Sequence, residues 1–144
     1  MNLRELQYTW DSMGRRALFT AILTIKMSWS GDDFFETGRQ EISGLVRDMD
    51  SLGRSLPRGT AFWCGVGRLT QPLADHYEEV VGVDIARSMI KLAEKLNRRG
   101  SRCSYVLNER DDLSVFGNGG FVLINSNITL QHMELRYAFS VEKR

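Results

Sequence analysis

Apolar positions change their rhythm partway along this chain. Residues 3 to about 28 carry a mixed helical pattern, with Trp10, Met13, Leu18 and Ile22 spaced for one apolar face. Ser28-Trp29-Ser30-Gly31-Asp32-Asp33 reads as a loop, and Thr37 with Gln40 three residues on makes a capping box that opens a second helix. Ile42, Leu45, Val46, Met49 and Leu52 lie on one face of that helix, and the stretch 53 to 59, with Pro57, ends it. From there on, short apolar runs at 60–64, 80–83, 103–107 and 121–126 alternate with amphipathic stretches, the signature of βαβ units and a parallel sheet. A helix is predicted over 68–77, where Pro72 is tolerated because first-turn N–H groups lack intrahelical partners. Another carries Ile85, Met89, Ile90, Ala93 and Leu96 and ends within 97–100. The expected fold class is α/β, with about four parallel strands in residues 57–144 and a helical cap in residues 1–56.

Composition narrows the partners without naming one. The 144 residues suit a single domain with a real core, and 42% hydrophobic with 26% charged residues is ordinary for a soluble globular chain. A formal charge of +1 gives no electrostatic reason to expect nucleic acid or a membrane surface. Cys64 and Cys103 stand far apart and only His76 and His132 are available besides, so no metal cluster is expected and reduced thiols in the cytoplasm are. Arg15-Arg16 followed by the apolar run 18–25 imitates a targeting signal. Glu5 and Asp11 precede it and the run is too short to span a bilayer, so a buried helix or cap is the expectation.

Two features carry chemistry. Cys64-Gly65-Val66-Gly67-Arg68-Leu69 lies between the first strand and its helix, where glycines let the backbone approach a ligand and a helix N-terminus offers free N–H groups. Thr70 stands where a dinucleotide fingerprint needs its third glycine, which argues against a nicotinamide cofactor, and a tight turn without ligand competes on this motif alone. Asp84 ends the second strand, 19 residues after Gly65, the separation at which an acidic residue meets ribose hydroxyls. A helix N-cap is its other reading, and both roles can coexist.

Residues 64–74, then Val80-Val81-Gly82-Val83-Asp84-Ile85, Met89-Ile90, Asn108-Glu109-Arg110, Asp112-Leu113 and the stretch 126–133 together resemble bacterial class I S-adenosylmethionine-dependent methyltransferases of the type 11/12 kind. The agreement runs in order through about half the chain, and Phe34-Phe35-Glu36-Thr37-Gly38 resembles that family's N-terminal cap. The resemblance implies a Rossmann-like sheet binding S-adenosylmethionine. Gly65 and Gly67 would line the methionine and ribose side, Asp84 would hold the ribose hydroxyls, and Ile85 would pack on adenine. Asp112 would meet the adenine amino group, and Ser126 and Asn127 would face cofactor and substrate after the fourth strand. His132 matches a position near the site without being assigned as a base, and no catalytic residue is implied.

The departures from the family pattern are specific. Ala61 and Trp63 stand where the family has an acidic residue and its first glycine, so a charge-assisted hydrogen bond worth about 1.5–3 kcal/mol is absent and an indole faces the ligand's path. Ala86 replaces a helix-capping serine, a loss of about 1 kcal/mol. The sequence reaches Arg144 soon after the fourth strand, which leads to an expected homodimer through the exposed edge of residues 121–125. The implied activity is methyl transfer to a small molecule; the alternative is an inactive S-adenosylmethionine- or nucleoside-binding module, a truncated relic of such an enzyme.

Overall fold

A computed structural model describes residues 2–16, 22, 30–54, 60–63, 65–117 and 123–126, with the side chains of 60–63, 123 and 125 outside that description. Helix α1 (Leu3–Arg16) and helix α2 (Gly31–Ser51) precede strand β1 (Thr60–Trp63), the short helix α3 (Thr70–Leu73), strand β2 (Val80–Asp84), helix α4 (Arg87–Leu96), strand β3 (Cys103–Leu107) and strand β4 (Leu123–Asn125). The four strands form one sheet in the order β3-β2-β1-β4, and every pairing is parallel. Parallel neighbours need crossovers, and α3 and α4 supply those from β1 to β2 and from β2 to β3; β2 buries Val80, Gly82 and Val83. Because β1 lies between β2 and β4, the chain reverses its direction of travel across the sheet at β1. In sheets of this kind the crevice at the carboxyl ends of such strands is where ligands bind.

Strands form within all four expected runs; β3 spans 103–107 as expected, and β2 continues one residue further, to Asp84. Two helices differ from expectation. Helix α2 opens at Gly31, six residues before Thr37, because Ser30 is its N-cap and accepts a hydrogen bond from the Asp33 N–H at 3.1 Å. Thr37 instead lies inside the helix, its hydroxyl donating to the Phe34 carbonyl at 2.7 Å. What draws the helix start forward is burial of Phe34 and Phe35 in a cluster with Val66, Ala86 and Met89, against which Trp10 and Ile22 also pack. The helix expected over 68–77 contracts to α3, because Ala74, Asp75 and His76 donate three residues back, to Gln71, Pro72 and Leu73, in tight turns.

A second cluster packs Ile42 against Leu69, Leu73, Ala74, Tyr77, Val80 and Cys103. Full burial of each large aliphatic side chain stabilises the fold by about 1.5–3 kcal/mol. Between the two clusters α2 presses on the chain after β1 so closely that a Cβ on Gly38 would run into the Arg68 carbonyl. Arg68, 5% exposed, answers from that chain with an ion pair to Glu41 at 2.8 Å and a hydrogen bond to the Thr37 hydroxyl at 3.3 Å. Among the described residues no helix is long and apolar enough to cross a membrane, and no group of three or more His, Cys, Asp or Glu is arranged to hold a metal ion.

Candidate nucleoside site at the carboxyl edge of the sheet

The turn after β1 and the end of β2 are joined directly. Asp84 Oδ2 accepts the Gly65 N–H at 2.8 Å and Oδ1 accepts the Ala86 N–H at 2.7 Å, so one carboxylate bridges the glycine turn and the start of α4. Gly65 has φ +49 and Gly67 φ +82, left-handed values that side-chain-bearing residues rarely adopt. Burial lifts the Asp84 carboxyl to about 6, against the downward pull of the Ala86, Gly65 and Ile85 amides and with a further push from the Asp11 charge. A carboxylate offers about four acceptor positions, so those amides leave capacity for a further donor.

The loop after β3 closes the other side of this edge. The Asn108 N–H donates to the Asp84 carbonyl at 2.9 Å, and its side-chain amide donates to the Asp112 carbonyl at 2.6 Å while accepting the Arg110 N–H at 3.2 Å. The Asp112 carboxylate caps the same loop by accepting the Ser114 N–H at 2.9 Å. Ile85, 3% exposed, is packed with Leu113, and Leu3 of α1 and Phe116 lean on that pair. The sequence-predicted residues therefore fall into two groups. Gly65 and Asp84 are bonded to each other, whereas Ile85 and Asp112 belong to the neighbouring apolar corner.

Gly67 faces away from this pair, toward β3: a Cβ there would lie 2.7 Å from the Tyr105 hydroxyl. Its left-handed backbone thus also serves close packing of the turn on the sheet. Ser126 follows β4 on the same sheet edge, and its buried hydroxyl oxygen has no hydrogen-bond partner among the described residues. Asn127, His132 and Cys64 lie outside the described residues, as do the side chains of Ala61 and Trp63.

Three contacts at this edge had no local signal in the sequence. Leu3 covers Ile85, and Ile22 stands over the glycine turn, its Cδ1 2.9 Å from where a Gly65 Cβ would be. Asp11, 77 residues before Ser88, caps α4 by accepting the Ser88 N–H at 2.7 Å. Ala86, the N-cap residue, makes no side-chain cap bond, as its alanine side chain requires.

The comparison with protein families decides what this edge belongs to, since a methyltransferase domain model matches residues 62–141, more than half of the chain. The chain belongs to the methyltransferase domain family. An uncharacterized RNA methyltransferase of Chlorobaculum tepidum is 30% identical over 67 residues, covering 45% of this chain and 14% of its own length. Among solved structures, phosphoethanolamine N-methyltransferase of Haemonchus contortus, in complex with phosphoethanolamine and S-adenosylhomocysteine, superposes with a TM-score of 0.70 at 16% identity, over 94% of this chain and 27% of that one. Magnesium protoporphyrin IX methyltransferase of Synechocystis PCC 6803 with bound S-adenosylhomocysteine gives 0.66 at 19% identity, over 96% and 64%. At such identities the superpositions speak for the fold alone. This methyltransferase domain spans less than two thirds of the length of each of these relatives.

Proposed function

We propose that the chain holds S-adenosylmethionine at the carboxyl edge of its sheet as part of a methyltransferase acting on a small molecule. The observation that carries this reading is the Asp84 carboxylate bonded to the Gly65 N–H at the carboxyl ends of β1 and β2, beside the reversal of the sheet at β1. Asp84 would hold the ribose hydroxyls with its remaining acceptor capacity, Gly65 and Gly67 would line the methionine side, and Ser126 and Asn127 would offer polar groups after β4. Ile85 and Asp112 would take the adenine end, where Leu3 and Phe116 must move aside to admit a ring. When bound, the cofactor supplies an electrophilic methyl group. What the chain contributes is orientation, which turns a bimolecular encounter into an effectively unimolecular one without a general base.

A small acceptor is preferred because a formal charge of +1 provides no phosphate-binding excess. Calorimetric titration with S-adenosylmethionine and with S-adenosylhomocysteine tests the reading. Saturable one-to-one binding that weakens at least about tenfold in Asp84→Ala, the loss expected of a charged hydrogen-bond partner, supports it. No binding of either nucleoside to the wild-type chain overturns it.

Ala61 and Trp63, at the positions of the family's acidic residue and first glycine, favour a second reading, a decayed module that keeps the fold with at most weak nucleoside affinity and no methyl transfer. Binding by Ala61→Asp/Trp63→Gly but not by the wild-type chain would select a relic over an enzyme.

A further inference from the structure

Helix α4 starts beside the candidate site without a capping side chain of its own, and the missing group comes from another helix. Asp11 of α1 accepts the Ser88 N–H through Oδ1 at 2.7 Å, and its backbone carbonyl accepts the Ser88 hydroxyl at 3.1 Å. One turn further along α1, Gly14 permits this approach, since a Cβ there would lie 2.7 Å from Ser88 Oγ and 3.2 Å from Met89 Cε. At the other end of α1, Leu3 packs on Ile85 and Leu113, and Gln7 donates to Glu109 at 2.6 Å. Glu109 in turn lies 3.6 Å from Arg87, the first residue of α4. Helix α1 is thereby tied to both loops that frame Asp84.

We propose that Asp11 is a positioning residue for the nucleoside site, which caps α4 from outside and so fixes the direction of the Asp84 carboxylate. The first amides of a helix lack intrahelical acceptors and draw any nearby carboxylate. In this chain two carboxylates divide them: Asp84 takes Ala86 and Asp11 takes Ser88. That division leaves Asp84 Oδ2 turned to Gly65. With Asp11 removed, the Ser88 amide competes for Asp84, and the bridge to the glycine turn is what gives way. The ligand consequence rests on the proposed nucleoside site, whereas the structural consequence does not.

Asp11→Ala and Asp11→Asn test this in the full chain, by amide hydrogen exchange without ligand and by calorimetry with S-adenosylhomocysteine. In Asp11→Ala, exchange at Ser88, Ala86 and Gly65 is expected to rise at least about tenfold, the worth of a charge-assisted hydrogen bond, while Val106 in β3 stays protected; the nucleoside dissociation constant rises by a similar factor. Asp11→Asn keeps a side-chain oxygen and the backbone carbonyl, and is expected within about threefold of wild type. Adding Ala86→Ser to Asp11→Ala provides a cap within α4 and is expected to restore protection at Gly65, which also covers the case in which the single variant does not fold. Opening of Ser88 alone, with Gly65 and Ala86 as protected as in wild type, overturns the proposal, as does failure of Ala86→Ser to restore Gly65. A wild-type chain that binds no nucleoside sinks the proposed function, and the exchange data still decide the role of Asp11.

Discussion

Replacing Asp84 with asparagine separates two effects that the wild-type carboxylate combines. Burial raises its pKa from 3.8 to about 6, so the folded chain keeps a proton that the unfolded chain releases. The stability this group contributes is fully present below 3.8 and is lost as pH rises through about 6. A tenfold shift in a protonation equilibrium is worth about 1.4 kcal/mol, so ionising Asp84 in the folded chain costs about 3 kcal/mol at neutral pH. The asparagine amide never ionises and escapes that cost. It has only one oxygen, however, to serve the Gly65 and Ala86 amides. Leaving one buried N–H without an acceptor costs about 1–3 kcal/mol. The two terms oppose each other at pH 7.5, where Asp84→Asn is expected to equal wild type or exceed its stability by up to about 2 kcal/mol. At pH 4 the wild-type group is protonated and only the lost acceptor remains, so the variant is less stable by about 1–3 kcal/mol. Urea unfolding of both proteins at the two pH values measures this directly, and the wild-type advantage should shrink by about 2–3 kcal/mol between them. A difference that does not move with pH refutes the buried-carboxylate argument.

Further outcomes follow from side-chain space and unmet hydrogen bonds. Gly44 has nothing within 4 Å of its missing Cβ, so Gly44→Ala should stabilise the chain by about 0.8–1 kcal/mol; Gly38→Ala in the same helix meets the Arg68 carbonyl and should cost about 1–3 kcal/mol, both read from urea midpoints. Gly67→Ala forces a side chain into φ +82, at about 1–2 kcal/mol, and crowds the Tyr105 hydroxyl; adding Tyr105→Phe should recover the crowding part of the loss in thermal midpoint and leave the backbone part. Ser126→Ala removes a buried hydroxyl without a partner among the described residues and should leave the ligand-free chain unchanged or more stable by up to about 1 kcal/mol, while weakening S-adenosylhomocysteine binding in calorimetry.

The sheet was legible because its strands are short apolar runs bounded by turn residues, with amphipathic stretches between them. The run at 103–107 became β3 without shift, and the structure brings Asp84 against Gly65, the two residues that their separation of 19 had paired. The start of α2 was not legible. Ser30 with Asp33 and Thr37 with Gln40 offer similar local capping patterns, and only the packing of Phe34 and Phe35 on Val66 and Met89 selects the first. Local propensity also misjudged α3. Its residues satisfy their amides by bonds three residues back, which helical periodicity over ten residues does not reveal. The pairing of Asp11 with Ser88 was invisible for a plainer reason: nothing in a spacing of 77 residues distinguishes it from any other.

Asp11 and Asp84 show how one helix start can set two carboxylates apart. Burial works against ionisation of both. At Asp11 the Ser88 amide and hydroxyl and the Arg15 guanidinium, 3.3 Å away, outweigh it and hold the carboxyl below the ordinary value. At Asp84 the neighbouring Asp11 charge adds to the burial effect, and the backbone amides only partly compensate. Asp11 is therefore charged over the whole working range and suits a fixed structural contact. Asp84 is held ionised above about pH 6 at a cost, with acceptor capacity to spare, and a carboxylate in that condition gains more from hydroxyl donors than one already satisfied. Ribose hydroxyls offer such donors without adding a charge to the crevice. Under the proposed function, the same imbalance that lowers the stability of the ligand-free chain above pH 6 would be relieved by a nucleoside sugar at Asp84.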